Sequence, residues 1–326
     1  VRNPFSKRHV ISGYYYFATQ GYELNYEGEF ANVFGNWNLG VSGKFTSPNF
    51  ARNFFGFGNS SSNPEAKKEE GDNDFNRVRM EQFHLGTFFK WRGYLGAEIK
   101  IGAQFQRFEV ERTPGRFLET QFAASNRIFS DQEFMNFEAS YYYSHADNRA
   151  FTTLGMEFET KNGFTSNLKD QRNFFYNSTS LAITHKMIPN GKLVFASKAK
   201  GHFIFGKEFE FYQAANIGAN EGLRSFRNER FNGKNSFYHS TDIRWDMRKL
   251  KTGLLPLHIG VYGGFDYGMV WGTPRTLTIL PFANQELHTS TGGGLFFNVA
   301  DKFVGSVGLF SGADGSRFSF NIGFDF

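Results

Sequence analysis

Cysteine is absent from the 326 residues, so neither disulfides nor thiolate metal centres can hold this chain together. No run of about 18 apolar residues occurs, which excludes a bundle of membrane-crossing helices. Nor does an apolar segment follow Val1. The opening VRNPFSKRHV is polar and basic, so the chain is expected either to have been processed or to begin inside a longer protein. The 8 histidines are scattered, without an i, i+4 or His-x-His pair, and no metal site is expected. Nucleophile elbows, Walker loops and dinucleotide fingerprints are missing as well. The chain therefore reads as a non-enzyme without cofactors. A net charge of +5 is spread over strands and loops alike, which argues against nucleic acid as a partner.

What the chain does have is aromatic rings and glycine. It holds 43 Phe, 14 Tyr and 36 Gly against only 8 Pro, yet its mean hydropathy is −0.45. A transmembrane β-barrel produces that combination, because only alternate residues meet lipid and the aromatics gather at the two interfaces. A soluble all-β sandwich is the alternative, and period-two alternation decides against it. Over residues 22–32, Tyr22, Leu24, Tyr26, Gly28 and Phe30 form one face, and Glu23, Asn25, Glu27 and Glu29 the other. Inward glutamates on one strand need water, not a packed core. Leu95, Ala97, Ile99, Ile101, Ala103 and Phe105 alternate in the same way with Glu98, Lys100, Gln104 and Gln106.

Further along, Asp242 and Arg244 face inward beside Ile243 and Trp245, and Asp266 faces inward between Phe265 and Tyr267. Short turns alternate with long loops, expected at 46–74, 111–130, 161–176 and 206–234, as when one rim faces a periplasm and the other the outside. Residues 76–91 are less regular, since the apolar face switches between Met80 and Phe83; a β-bulge is expected there. The fold expected is all-β, a transmembrane antiparallel barrel of about 14 strands, with residues 1–326 as one barrel domain.

Two stretches stand out. The last strand, Arg317 to Phe326, carries Phe318, Phe320, Ile322, Phe324 and Phe326 on one unbroken apolar face. Such an ending resembles the assembly signal read by the machinery that inserts outer-membrane barrels, and a soluble edge strand of this kind would aggregate. The other stretch is GLRSFRNERF, Gly222 to Phe231, an arginine-rich segment in the insertion that precedes a lone inward acid, Asp266. Gly264 and Gly268 leave room beside that acid for a planar guanidinium, and a bidentate Arg–carboxylate contact is strong and directional. The loop is expected to fold inward and be pinned there.

Leu223-Arg224-Ser225-Phe226 after Asn216-Ile217-Gly218, with Asp242-Ile243-Arg244 and then Gly264-Phe265-Asp266-Tyr267-Gly268 on the next two strands, resembles the BamA-type outer-membrane assembly superfamily. That superfamily includes two-partner secretion transporters and patatin-linked autotransporters. In it an extracellular loop with a V-R-G-F/Y motif folds into the lumen, and its arginine pairs with an aspartate on an inner wall strand. The resemblance implies that Arg224 is the loop arginine and Asp266 its partner. Ser225 stands where the family motif has Gly, and Arg227 is a second arginine competing for the acid. A superfamily barrel has about 16 strands, five of them after the loop. Nine are expected before the loop here, so two strands and any N-terminal domain are expected upstream.

NFFGFGN, FNRVRM and LRSFRNERFNGKNSFYHSTDIRW look most like a Bacteroidetes branch whose barrel follows a calcineurin-like metallophosphoesterase domain. None of that domain's metal-ligand motifs is present here. The implied function is insertion or translocation of protein or lipid at the bacterial outer membrane. The implied partners are outer-membrane lipid and lipopolysaccharide, the barrel-assembly machinery, and periplasmic or lipoprotein subunits. A passive anchor for the phosphoesterase and a diffusion porin are the alternatives.

Overall fold

The computed structural model describes residues 7–61, 74–251, 256–275, 286–300 and 302–323. In chain order the strands are β1 (Lys7–Tyr16), β2 (Gly21–Phe34), β3 (Trp37–Thr46), β4 (Ala51–Asn53), β5 (Arg77–Arg92), β6 (Ala97–Val110), β7 (Gln132–Ala146), β8 (Gly155–Asn167), β9 (Asn173–Lys186), β10 (Leu193–Phe205), β11 (Ala215–Ile217), β12 (Phe231–Gly233), β13 (Asn235–Lys251), β14 (Pro256–Trp271), β15 (His288–Val299), β16 (Phe303–Gly312) and β17 (Gly315–Ile322). One short helix, α1 (Phe117–Gln121), lies between β6 and β7.

Fourteen of these strands form a single antiparallel ladder in the order β1-β2-β3-β5-β6-β7-β8-β9-β10-β13-β14-β15-β16-β17. This is the strand number that alternation and loop parity predict. Strands next to each other in the ladder pair across short turns and long loops alike, because antiparallel neighbours need no crossover. The sheet curls into a barrel. Phe151, in the turn after β7, stacks on Phe296 of β15 with ring centres 5.4 Å apart, although six ladder steps separate the two strands.

Residues directly opposite in a ladder share a face, and the register therefore fixes which side chains look inward. Asp242 sits opposite Gly264, and Asp266 sits opposite Ser240 on one side and Ser290 on the other. Across the wall, inward Glu29 takes a two-pronged contact from Arg92, with Nη1–Oε1 at 2.6 Å and Nη2–Oε2 at 2.9 Å. Phe83, Leu85, Ile101, Phe265 and Leu309 are exposed on the outer face.

Two local expectations are corrected. β5 pairs with β6 in unbroken register from Met80 to Arg92, with no bulge. The apolar face switches because Val78 and Met80 rise past the outward band and point into a buried cluster at the long-loop rim. The polar stretch 161–176 is not one long loop either: β8 continues to Asn167 and β9 starts at Asn173. Its polar residues sit in the ladder, and Asn177 Nδ2 donates to Asn162 Oδ1 across it at 2.9 Å.

The long loops do not stay in solvent. Phe54 and Phe57 from one, Leu118 and Phe122 from the α1 loop, and Phe209, Phe211 and Tyr212 from the loop after β10 pack into one buried cluster over the mouth. Glu210 is buried beneath this dome and pairs with Arg172 of the β8–β9 loop. Aromatic rings bury enough area to fold loops that carry little regular structure of their own.

Candidate functional site

The loop between β10 and β13 leaves the ladder, forms the small β11–β12 hairpin and drives its tip, residues 218–230, down onto the inner wall. Gly222 makes the turn possible with φ at +84°, and the ring of Tyr238 fills the space a side chain would need. Leu223 and Phe226 then pack with Ile217, Phe231, Tyr238 and Val270 in a closed apolar cluster. That packing aims Arg224, which lies between them, at the wall.

Arg224 meets two acids there. Its Nη2 donates to Asp266 Oδ1 at 2.6 Å, its Nε to Asp266 Oδ2 at 3.0 Å, and its backbone N–H to the same Oδ2 at 3.1 Å. Nη1 donates to Asp242 Oδ1 at 2.7 Å. The other oxygen of Asp242 accepts from Arg244 Nη2 at 3.3 Å. Asp266 is 0 % exposed, Asp242 3 % and Arg244 1 %, so the four groups form a charge-balanced set removed from water. Burial opposes the Arg224 charge, but the hydrogen bond with Asp266 and the field of Asp242 outweigh it and hold the guanidinium above its ordinary pKa. Phe310 lies flat under the guanidinium, its ring centre 4.0 Å from Cζ, a cation–π contact in a desolvated setting.

Gly264 makes room for this geometry. A Cβ there would collide with Arg224 Nη2 and Asp242 Oδ1. Gly268, which the sequence reading also set beside the acid, instead makes room for Tyr238. Ser225 is buried, its backbone N–H donating to Ser290 Oγ at 2.9 Å. The left-handed residues of the tip are Gly222 and Glu229, not Ser225, so a serine at 225 meets no backbone strain. The hydrogen bonds to Asp266 come from Arg224, and Arg227 is not among their donors.

Sequence reasoning missed the second half of the attachment. Arg230 Nε donates to Asp314 Oδ2 in the β16–β17 turn at 2.5 Å, and Arg230 Nη1 donates to Ser61 Oγ at 2.7 Å. Its guanidinium lies over the rings of Phe55 and Phe231, at 4.8 and 4.4 Å. Arg317 of β17 reaches the carbonyl oxygen of Phe226 at 2.9 Å. On the other side of the tip Arg52 clasps Glu229, with Nε–Oε1 at 2.9 Å. Nothing in the spacing of these residues marks them, since they come together only through loops.

Phe318, Phe320 and Ile322 project outward and exposed from β17, whereas Phe324 and Phe326 lie outside the described residues. Among the described residues no group of His, Asp or Glu converges as a metal site. The buried cluster offers a directional electrostatic lock.

Compared by sequence, the chain matches no protein-family model and no curated protein. Compared by structure, it is similar to BamA from Haemophilus ducreyi lacking POTRA domains 1–3, with a TM-score of 0.60 and 14% identity over 98% of this chain and 70% of that one. It is also similar to CdiB from Escherichia coli, with a TM-score of 0.56 and 10% identity over 97% of this chain and 59% of that one, so it spans less than two thirds of the CdiB chain. At these identities the likeness is one of fold, and the chain has the barrel fold seen in BamA and CdiB.

Proposed function

We propose that this chain is a barrel module of the BamA-type superfamily, seated in the bacterial outer membrane, that takes part in inserting or translocating protein or lipid. The observation that carries the reading is Arg224, held by Asp266 and Asp242 on the inner wall of a barrel with this fold. The lock sets the position of the inward loop, and the loop sets the shape of the lumen. The long-loop rim then faces outside and the short-turn rim the periplasm. Phe318, Phe320 and Ile322, with Phe324 and Phe326, serve as the assembly signal. The partners that follow are outer-membrane lipid and lipopolysaccharide, the barrel-assembly machinery, and periplasmic or lipoprotein subunits. The finer placement, a Bacteroidetes protein with a metallophosphoesterase upstream of this barrel, rests on the resemblance of sequence segments alone.

The test is Asp266→Ala in the full-length protein, scored in the native bacterium by the protein and lipid content of the outer membrane. The expected result is loss of function with a barrel that still shifts on heating in gel electrophoresis. Full function in a folded variant contradicts the locked-loop mechanism and favours the passive anchor. A large, steady conductance of the unaltered protein in planar bilayers contradicts it in favour of a porin, because the dome and the loop tip occupy the mouth.

A further inference from the structure

The turn between β7 and β8 is built to hold a ring inside the barrel. Asp147 organises it. Its Oδ1 accepts from the backbone N–H groups of Asn148, Thr153 and Leu154 at 2.9, 2.9 and 3.1 Å, and its Oδ2 accepts from Thr153 Oγ1 at 2.5 Å. Asn148 closes the inner half of the turn, its Oδ1 accepting from the N–H of Ala150 at 2.8 Å and its carbonyl from Thr152 Oγ1, also at 2.8 Å. This frame points Phe151 away from solvent, and the ring is 8 % exposed although it sits in a turn of the short-turn rim.

The ring lands on the far wall. It stacks on Phe296, 5.4 Å away with planes 27° apart, in a cluster completed by Tyr262, Val304 and Phe310. That wall is hollowed to receive large rings: a side chain at Gly260 would strike Phe296, and one at Gly308 would strike Tyr262. Beside the turn lies a pocket of about 860 Å³, bordered by Thr152 of the turn, by Gly93 and Gly96 of the β5–β6 turn at the same rim, and by Arg92, Glu98, Lys198 and Arg244 of the wall. Arg244 is also the residue that shares Asp242 with Arg224. The pocket therefore reaches from the short-turn rim to Arg244 of the lock, and Phe310 belongs to both the stopper and the lock, packed in the Phe151 cluster and stacked under Arg224.

We propose that the β7–β8 turn is an inward stopper: Phe151 seats on the Phe296 wall, closes the short-turn end of the lumen, and must swing out before a solute or chain enters from that side. Nothing in the sequence signals this, since a lone Phe in a short polar turn is ordinary. The proposal rests on the reading of the chain as a membrane barrel but on no cargo, so loss or retention of transport in Asp266→Ala leaves it standing.

Because residues 1–326 contain no cysteine, thiols introduced here report without background from the barrel once any cysteine upstream of it is replaced by serine. Ser306 lies directly opposite Phe296 in the β15–β16 ladder and is buried on the inner face. In the full-length, membrane-inserted protein carrying Ser306→Cys, a bulky water-soluble maleimide applied from the short-turn side should label slowly. Adding Phe151→Ala should speed labelling about tenfold or more, and adding Phe151→Leu, which keeps an apolar plug, much less. Independently, Phe151→Cys with Phe296→Cys should be joined within one chain by a short bifunctional thiol cross-linker, whereas Phe151→Cys with the outward Phe265→Cys should not. Equal labelling with and without Phe151, or no Phe151–Phe296 cross-link in folded protein, overturns the stopper.

Discussion

At the long-loop rim the lumen is held by buried charge, and at the short-turn rim by the packing of one ring. Arg224 engages Asp266 and Asp242 through charge-assisted hydrogen bonds at 2.6 and 2.7 Å. Removing one partner of such a buried set strands a charge and costs about 3–5 kcal/mol. Phe151 makes a single aromatic stack with Phe296, and a stack of this kind contributes about 0.5–1.5 kcal/mol beyond the area it buries. The two devices thus differ in what opens them. A stopper held by packing can swing on a short turn, whereas releasing the loop requires something that takes over the guanidinium or the carboxylates.

The contrast can be broken from either side. The largest effect is expected from Asp266→Asn, which keeps the shape and removes the charge facing Arg224. Loop release should cost about 3–5 kcal/mol less than in the unaltered protein, read as an increase in tryptic cleavage within residues 224–230, and Asp242→Asn should do less because Asp266 accepts more of the Arg224 hydrogen bonds. Gly264→Ala should loosen the same lock without touching a charge, by about 1–3 kcal/mol of overpacking, since its Cβ meets Arg224 Nη2 and Asp242 Oδ1. The same cleavage assay checks it. Phe310→Leu should weaken both devices, losing the ring beneath Arg224 for about 1–2 kcal/mol, and it alone should raise both loop cleavage and Ser306→Cys labelling.

Acid gives the smallest effect at the stopper. Asp147 is partly desolvated, which raises its pKa, but the hydrogen bonds from Thr153, Leu154 and Asn148 outweigh this and leave it lower than an ordinary aspartate. A lowered folded-state pKa stabilises the turn above the unfolded value of about 3.9, and that stabilisation is lost as pH falls through the folded value. The labelling ratio of stoppered to Phe151→Ala protein should therefore hold from pH 7 to about pH 4 and move toward unity only below it. Asp147→Asn should remove the acid step.

The sequence was legible where structure follows a period and silent where it follows from loops meeting. Alternation predicted inward Asp242, Arg244 and Asp266 because a strand side chain has two choices of face, and burial of all three agrees. The same rule misread Met80 to Phe83, where the strand leaves the outer apolar band and its inward face enters the dome. Arg230 with Asp314 and Phe151 with Phe296 could not be read at all. Each joins segments 84 and 145 positions apart, and no local pattern encodes a contact made across a curled sheet. Ser225 was read as a departure from the glycine of the family motif. In the structure the positive φ belongs to Gly222, so the glycine requirement sits three residues earlier.

The central claim, that Arg224 holds the loop inside the barrel through Asp266 and Asp242, is tested most directly by limited trypsin digestion of the full-length folded protein. The account predicts that the unaltered chain resists cleavage after Arg224, Arg227 and Arg230, while the Asp266→Ala protein is cut there with the barrel intact. Equal resistance in the two proteins would contradict it.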